Sequence, residues 1–276
     1  MSVRKLGYRA SVQMLPIEKA QKLFAAAHLS SESKSFREAF AASFRYNPIT
    51  LCEAFCEYMV NSASHNNDLY ADIAIRYAMY LETIIPASWH QSRSAFVKDL
   101  YTCRRGGTVS EYGFGVLRQF AISEADAFGT TFVMSDAYAS AIEFAEFYLH
   151  FHCSPEICDR FTFVLHNLDT GAIDVRSDVI LLLDSIEHAH NPTRAMKEIV
   201  SKAPLNVLFG LILPIGELIP SHNIAWRSRE EALDWCSIVG VSVTGTKIIT
   251  PNFEVDIFAN GTKGIHGLLV CGLRAE

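Results

Sequence analysis

The 276-residue sequence has no long apolar run. Its longest, V-L-F-G-L-I-L from Val207 to Leu213, is far too short to cross a bilayer and reads as a buried strand. No membrane association is expected. Charge of one sign never clusters, and the net charge of -6 with a pI near 5.9 leaves no basic stripe for nucleic acid. Cysteines number seven, an odd count without framework spacing, which excludes a disulfide scaffold and fits free or buried thiols in a reducing compartment. Arg4, Lys5 and Arg9 are followed by no apolar stretch, so no signal peptide and a cytoplasmic location are expected. Repeats and low-complexity segments are absent too. What is present is apolar bulk, half of all residues, enough for one large domain or two unequal ones.

Residues 1 to about 100 are poor in glycine and carry Ala, Phe, Leu, Glu and Lys at helical spacing. Pro16 opens one helix at a first-turn position, where its missing N–H costs nothing. Phe36, Phe40 and Phe44 make an i, i+4, i+8 stripe on a helix over Ser33 to Arg45, and Asn47-Pro48 breaks it. Further helices are expected over Ile49 to Met59, from the turn Asn66-Asn67-Asp68 through Leu81, and over Trp89 to Leu100. Cys52 and Cys56 share a helix face, but no histidine or second pair accompanies them, so core packing is the reading. This segment reads as a helical layer, 1–104, with no chemistry of its own.

From Thr108 strands alternate with helices, the pattern of a parallel α/β sheet. Thr108 to Glu111 reads as a strand, Gly113 and Gly115 as a sharp turn, Val116 to Ala127 as a helix and Thr131 to Met134 as the next strand. Asp136 closes that unit 21 residues after Gly115. This is the layout of a nucleotide-binding βαβ unit, with glycines that admit the ligand and an acid for the ribose hydroxyls. Ala137 to His152 is expected to be helical, Arg160 to Leu165 a strand, and Val175 to Asp184 a fully buried strand flanked by acids. A loop from Ser185 to Pro192, a helix from Thr193 to Lys202, a strand from Val207 to Pro214 and a helix from Ser228 to Val239 follow. The tail, Val241 to Val243, Lys247 to Thr250, Val255 to Asn260 and Gly267 to Leu273, has hairpin-like β character.

Two segments then resemble a known family. Glu111-Tyr-Gly-Phe-Gly with Asp136, and Asp178-Val-Ile-Leu-Leu-Leu-Asp-Ser-Ile-Glu-His-Ala-His-Asn-Pro, are similar to the motifs of class I S-adenosylmethionine-dependent methyltransferases, as is Pro214 after the fifth strand. The resemblance covers about residues 105–276. It implies an α/β, Rossmann-like class I methyltransferase fold with a helical N-terminal domain, and S-adenosyl-L-methionine as cofactor. It implies that Glu111 orients the cofactor's amino group or the loop backbone, that Gly113 and Gly115 line its methionine and ribose, and that Asp136 holds the ribose hydroxyls. Asn167, Leu168 and Asp169 would lie at the adenine, Asp184 and Ser185 beneath the methionine. Where the family often has a third small residue after G-x-G, this chain has Val116-Leu117, which narrows the pocket or shifts the helix start.

Methyl transfer asks the protein for positioning, exclusion of water and sometimes a base. Candidates are His188, His190 and His222, with Tyr112 and Tyr138 near the expected sulfonium region. His188 in such a loop is more often a structural hydrogen-bonder, His222 more often a loop histidine, and Trp226 either stacks on an acceptor or pins its loop. His150, His152, Cys153 and Cys158 carry zinc-ligand chemistry, but adjacent residues at a helix end cannot all reach one centre, and no metal is expected. The fourth strand ends in Asp184-Ser185-Ile186-Glu187 rather than the Pro-Pro-aromatic signature of amino-directed DNA enzymes. The expected activity is therefore methylation of a small-molecule substrate. Aminocarboxypropyl transfer or cyclisation to azetidine-2-carboxylate, or an idle binding module, are the alternatives. The helical layer either closes over the site or forms a homodimer; the sequence leaves both open.

Overall fold

Strands made of unbroken apolar residues need cover on both faces, and V-I-L-L-L and L-F-G-L-I-L-P-I both find it at the centre of a seven-stranded sheet. The computed structural model describes residues 31–47, 51, 70–84, 88–117, 119–216, 222–249 and 266–275. The expected helices from Pro16 and over Ile49 to Met59, the cysteines Cys52 and Cys56, the Asn66–Asp68 turn and Val255 to Asn260 lie wholly or almost wholly outside them.

The elements run α1 (Ser31–Phe44), α2 (Ile73–Ile84), α3 (Ser88–Cys103), β1 (Thr108–Tyr112), α4 (Gln119–Phe128), β2 (Thr131–Asp136), α5 (Ala139–His152), α6 (Pro155–Cys158) and β3 (Phe161–Leu165). They continue with β4 (Val179–Leu183), α7 (Pro192–Lys202), β5 (Leu208–Ile215), α8 (Arg229–Ile238), β6 (Val241–Ile249) and β7 (His266–Arg274). The strand order is β3-β2-β1-β4-β5-β7-β6. β1 to β5 are mutually parallel, and β7 is antiparallel to both of its neighbours. The order reverses between β1 and β4, the switch point outside whose carboxyl ends open α/β sheets bind ligands.

Several boundaries differ from the sequence reading, each for a local reason. α4 begins at Gln119 rather than Val116: Val116 and Leu117 are buried, and the Val116 amide donates to the Phe114 carbonyl at 2.7 Å, so the chain dips into the core before it coils. β4 begins at Val179 because Asp178 is used for closure, its carboxylate accepting from the Thr108 amide at 2.8 Å. α2 starts at Ile73, capped by Asp72, whose carboxylate accepts from the Ala74 amide at 2.8 Å. The two tail segments after α8 are one strand, β6, kinked by a register shift between Val243 and Gly245.

The helical layer is welded to the sheet. Phe36, Phe40, Tyr77 and Leu81 belong to one buried cluster with Phe144, Val109, Phe132 and Leu181. Phe36 and Phe40 lie within 6.4 Å, ring to ring, of Tyr77. A fully buried phenylalanine stabilises by about 1.5–3 kcal/mol, so this aromatic seam anchors α1 and α2 on α5. On the other side of the layer, Leu100 of α3 touches the position where Gly210 would carry a Cβ, which also lies 2.7 Å from Leu181. Only glycine lets the helix approach β5 that closely. The five described cysteines are free, and no described helix is long and apolar enough to cross a membrane.

Candidate functional site

The carboxyl ends of β1, β2 and β4 bring the expected cofactor residues together. After Tyr112 the chain turns under β2: the amides of Gly113 and Phe114 both donate to the Ser135 carbonyl, at 2.7 and 3.2 Å. Gly113 and Gly115 have φ of 67° and 66°, the left-handed region that glycine enters without strain. A Cβ on Gly113 would meet the Ser185 Cβ at 2.7 Å, so the β1 turn lies directly on the residue after β4. Glu111 is buried at the end of β1, and Ser135 donates to its carbonyl at 3.3 Å.

Asp136 is the hub. It is 5% exposed, and its Oδ2 accepts from the Gly115 amide at 3.1 Å. Its Oδ1 accepts from the Tyr138 amide at 3.0 Å and from Arg76 Nη2 at 3.2 Å. Arg76, on α2, is 2% exposed. It also donates through Nε to the Tyr70 carbonyl and Ser140 Oγ, and through Nη1 to the Gly115 carbonyl at 3.2 Å. Met79, one turn further on, puts its methyl 3.0 Å from where a Gly115 Cβ would sit.

A second arginine does the same at β4. Arg93 of α3 donates to Asp184 Oδ2 and to the Leu183 carbonyl, both at 2.8 Å. Asp184 has φ of 55°, unusual for a residue other than glycine. The helical layer, read from sequence as having no chemistry of its own, supplies the cationic partners of two of the expected site acids. A signal was present. Arg76 sits inside the nearly all-apolar I-A-I-R-Y-A-M-Y-L, and an arginine in a helix buried almost all round must find an acid.

Beyond Asp184 lie Ser185, Glu187, His188 and His222. Ser185 is 4% exposed and its Oγ has no hydrogen-bond partner among the described residues. Glu187 is 1% exposed; burial, with the nearby Asp184 carboxylate, pushes its carboxyl well above the usual range. His222 is pushed down to about 3 by burial and by His188, so it is neutral at physiological pH. The two imidazoles cross edge to face with centroids 4.8 Å apart. The loop of His222 is held here by Asn223, whose amide donates to the Glu187 carbonyl at 2.7 Å and whose side chain donates to that of His188 at 3.1 Å. Trp226 pins the same loop: it is buried against Trp235, ring centroids 4.8 Å apart.

On the flank, Asn167 caps a short 3-10 turn (Leu168–Thr170) by accepting from the Asp169 amide. Asp169 in turn accepts from the His190 amide and ring, at 2.7 and 2.8 Å, which places His190 at the rim rather than beside His188. Tyr112 is 2% exposed, its hydroxyl accepts from the Ile173 amide at 3.2 Å, and burial pushes its pKa up to about 12. It braces the 166–173 loop, where its ring also meets His166 edge to face, centroids 5.9 Å apart. Tyr138 faces Arg76, 5.6 Å from ring centroid to guanidinium carbon. The zinc-type residues at the end of α5 and in α6 have other roles: His150 bonds the Glu146 carbonyl, His152 packs on Tyr148, and Cys153 and Cys158 pack against the core.

No protein-family model and no curated protein matches the sequence. Solved structures do. The [4+2]-cyclase SpnF is 12% identical over 65% of this chain and 80% of its own, with a TM-score of 0.52. Magnesium protoporphyrin IX methyltransferase from Synechocystis PCC 6803, solved with bound SAH, is 12% identical over 79% and 97%, with a TM-score of 0.52. StiE O-MT is 9% identical over 68% and 75%, again at 0.52. The chain has the Rossmann-like fold of the class I S-adenosylmethionine-dependent methyltransferase superfamily.

Proposed function

We propose that this chain is an S-adenosyl-L-methionine-dependent enzyme that transfers a methyl group to a small molecule. The observation that carries the reading is the convergence, at the sheet's switch point, of the Gly113–Gly115 turn, Asp136 and Ser185. The residues present fit the cofactor. Gly113 lets the β1 turn lie directly on Ser185, whose buried Oγ is unpartnered among the described residues and could reach a ligand. Among the described residues Asp136 Oδ2 accepts from the Gly115 amide alone, which leaves a lone pair for a ribose hydroxyl. Asn167, Leu168 and Asp169 would border the adenine, and Glu111, Asp184 and Ser185 the methionine end.

The cofactor, when bound, supplies an electrophilic methyl on a sulfonium. The chain's own part is positioning. Arg76 and Arg93 fix the carboxylates of Asp136 and Asp184, so neither acid must reorganise during reaction. α2 and α3 reach the ends of β2 and β4 through these two arginines. Neutral His222, beside His188, can accept a hydrogen bond from an acceptor and orient it, but with its pKa pushed down to about 3 it is too weak a base to take the proton. The acidic net charge favours a small-molecule acceptor over nucleic acid.

Two other readings have specific support. SpnF, a [4+2]-cyclase, has this fold, so the fold is compatible with chemistry other than methylation. Arg76 and Met79 over Gly115 support an idle module whose cofactor position is already filled. Incubation of purified protein with S-adenosylmethionine alone, followed by mass spectrometry, separates them. Intact cofactor with binding sustains the methyltransferase reading. Methylthioadenosine with a new amino-acid product replaces it with aminocarboxypropyl chemistry. Absence of binding leaves the idle module.

A further inference from the structure

Glu187, His188 and His222 form the one group of three metal-capable side chains among the described residues, with one ligand atom from each lying within 4.8 Å of the others. The group is built from two separate segments: the short 3-10 turn Ile186–His188 after β4 and the loop after β5. Asn223 ties the two together by two hydrogen bonds. We propose that these three residues bind a first-row divalent metal ion of the zinc type, with Glu187 as the carboxylate ligand and His188 and His222 as imidazole ligands.

Three features of the geometry support this. The Glu187 carboxyl is 1% exposed, and its Oε2 has no hydrogen-bond partner among the described residues; a buried carboxylate left so is costly. His222 Nε2 lies 3.9 Å from Glu187 Oε1, too long for a hydrogen bond. Ligand atoms around a tetrahedral zinc with bonds of about 2.0–2.1 Å are about 3.3 Å apart, so the group needs only modest contraction to close on an ion. Finally, two histidines and one carboxylate are a donor set that suits zinc or ferrous iron and leaves at least one position open. That position would take water or an oxygen atom of the acceptor. The acceptor role rests on the function proposed above; the metal site does not.

The test uses the full chain, stripped with EDTA and dialysed, and Co2+ as the probe, followed by visible absorption, with Zn2+ calorimetry in parallel. The expected result is one saturable event at 1:1 stoichiometry with a ligand-field band. Glu187→Gln and His222→Ala should each weaken it at least tenfold, whereas His150→Ala, on an exposed part of α5, should leave it unchanged. Circular dichroism reports folding of each variant. If His222→Ala fails to fold, the near-isosteric Glu187→Gln and the wild-type spectrum still decide. No 1:1 binding by the folded wild type, or equal affinity in the folded ligand variants, would overturn the proposal. S-adenosylhomocysteine calorimetry in EDTA separates that failure from failure of the cofactor reading.

Discussion

Replacing Arg76 by methionine should destabilise this protein more than loss of a surface charge ever does. Its guanidinium is 2% exposed and reaches four oxygen acceptors: the Tyr70 and Gly115 carbonyls, Ser140 Oγ and Asp136 Oδ1. Methionine keeps most of the apolar volume and removes the charge. Among the described residues the Asp136 carboxylate then stays buried with the Gly115 and Tyr138 amides alone for compensation. Breaking a buried pair by removing one partner costs about 3–5 kcal/mol; two surviving amide bonds put this case at the lower end, about 3 kcal/mol. For a chain of this size that is a fall in Tm of on the order of 10 °C. Urea unfolding followed by the fluorescence of the buried Trp226–Trp235 pair measures it. Asp136→Asn should cost a similar amount. The double variant Arg76→Met with Asp136→Asn should recover part of the loss, with a coupling of on the order of 2 kcal/mol. Loss of under about 1 kcal/mol in Arg76→Met, or strict additivity in the double variant, would refute the claim that α2 is clamped to the site through this pair.

Other positions follow from the same geometry. Gly113→Ala forces a side chain into a left-handed backbone at φ 67° and within 2.7 Å of Ser185. It should cost at least about 1–2 kcal/mol and weaken cofactor binding, and a variant with wild-type unfolding and affinity would contradict the close packing of the two strand ends. Tyr112 has its pKa raised to about 12 from an ordinary 10, so its stabilising share is complete below pH 10 and is lost as pH rises from 10 towards 12. Tyr112→Phe should cost about 1 kcal/mol at neutral pH by orphaning the Ile173 amide. It should also flatten the alkaline fall in stability; identical pH slopes in the two proteins would dismiss the assignment.

Most of the α/β half was legible because its signals are local. The G-x-G turn, Asp136 and the apolar runs of β4 and β5 are sequence features whose meaning does not depend on distant partners. Val116-Leu117 reads as a pair that narrows the pocket or shifts the helix start; the helix expected from Val116 begins at Gln119. What could not be read was pairing across the chain. Arg76 and Arg93 lie 60 and 91 residues from their acids, and helical periodicity treats an arginine as a solvated face unless burial is known. The same holds for His222, 34 residues beyond His188 in sequence and stacked edge to face on it in space. Tyr112 is expected near the sulfonium region; its hydroxyl's partner, the Ile173 amide 61 residues on, is another pairing across the chain that local sequence does not reveal.

The most direct test of the account is calorimetric titration of the purified chain with S-adenosylhomocysteine. The account predicts saturable 1:1 binding, accompanied by a rise in Tm that grows with ligand concentration. No heat and no shift up to millimolar ligand would contradict it and would mean that Arg76 and Met79 fill the position the cofactor was expected to take.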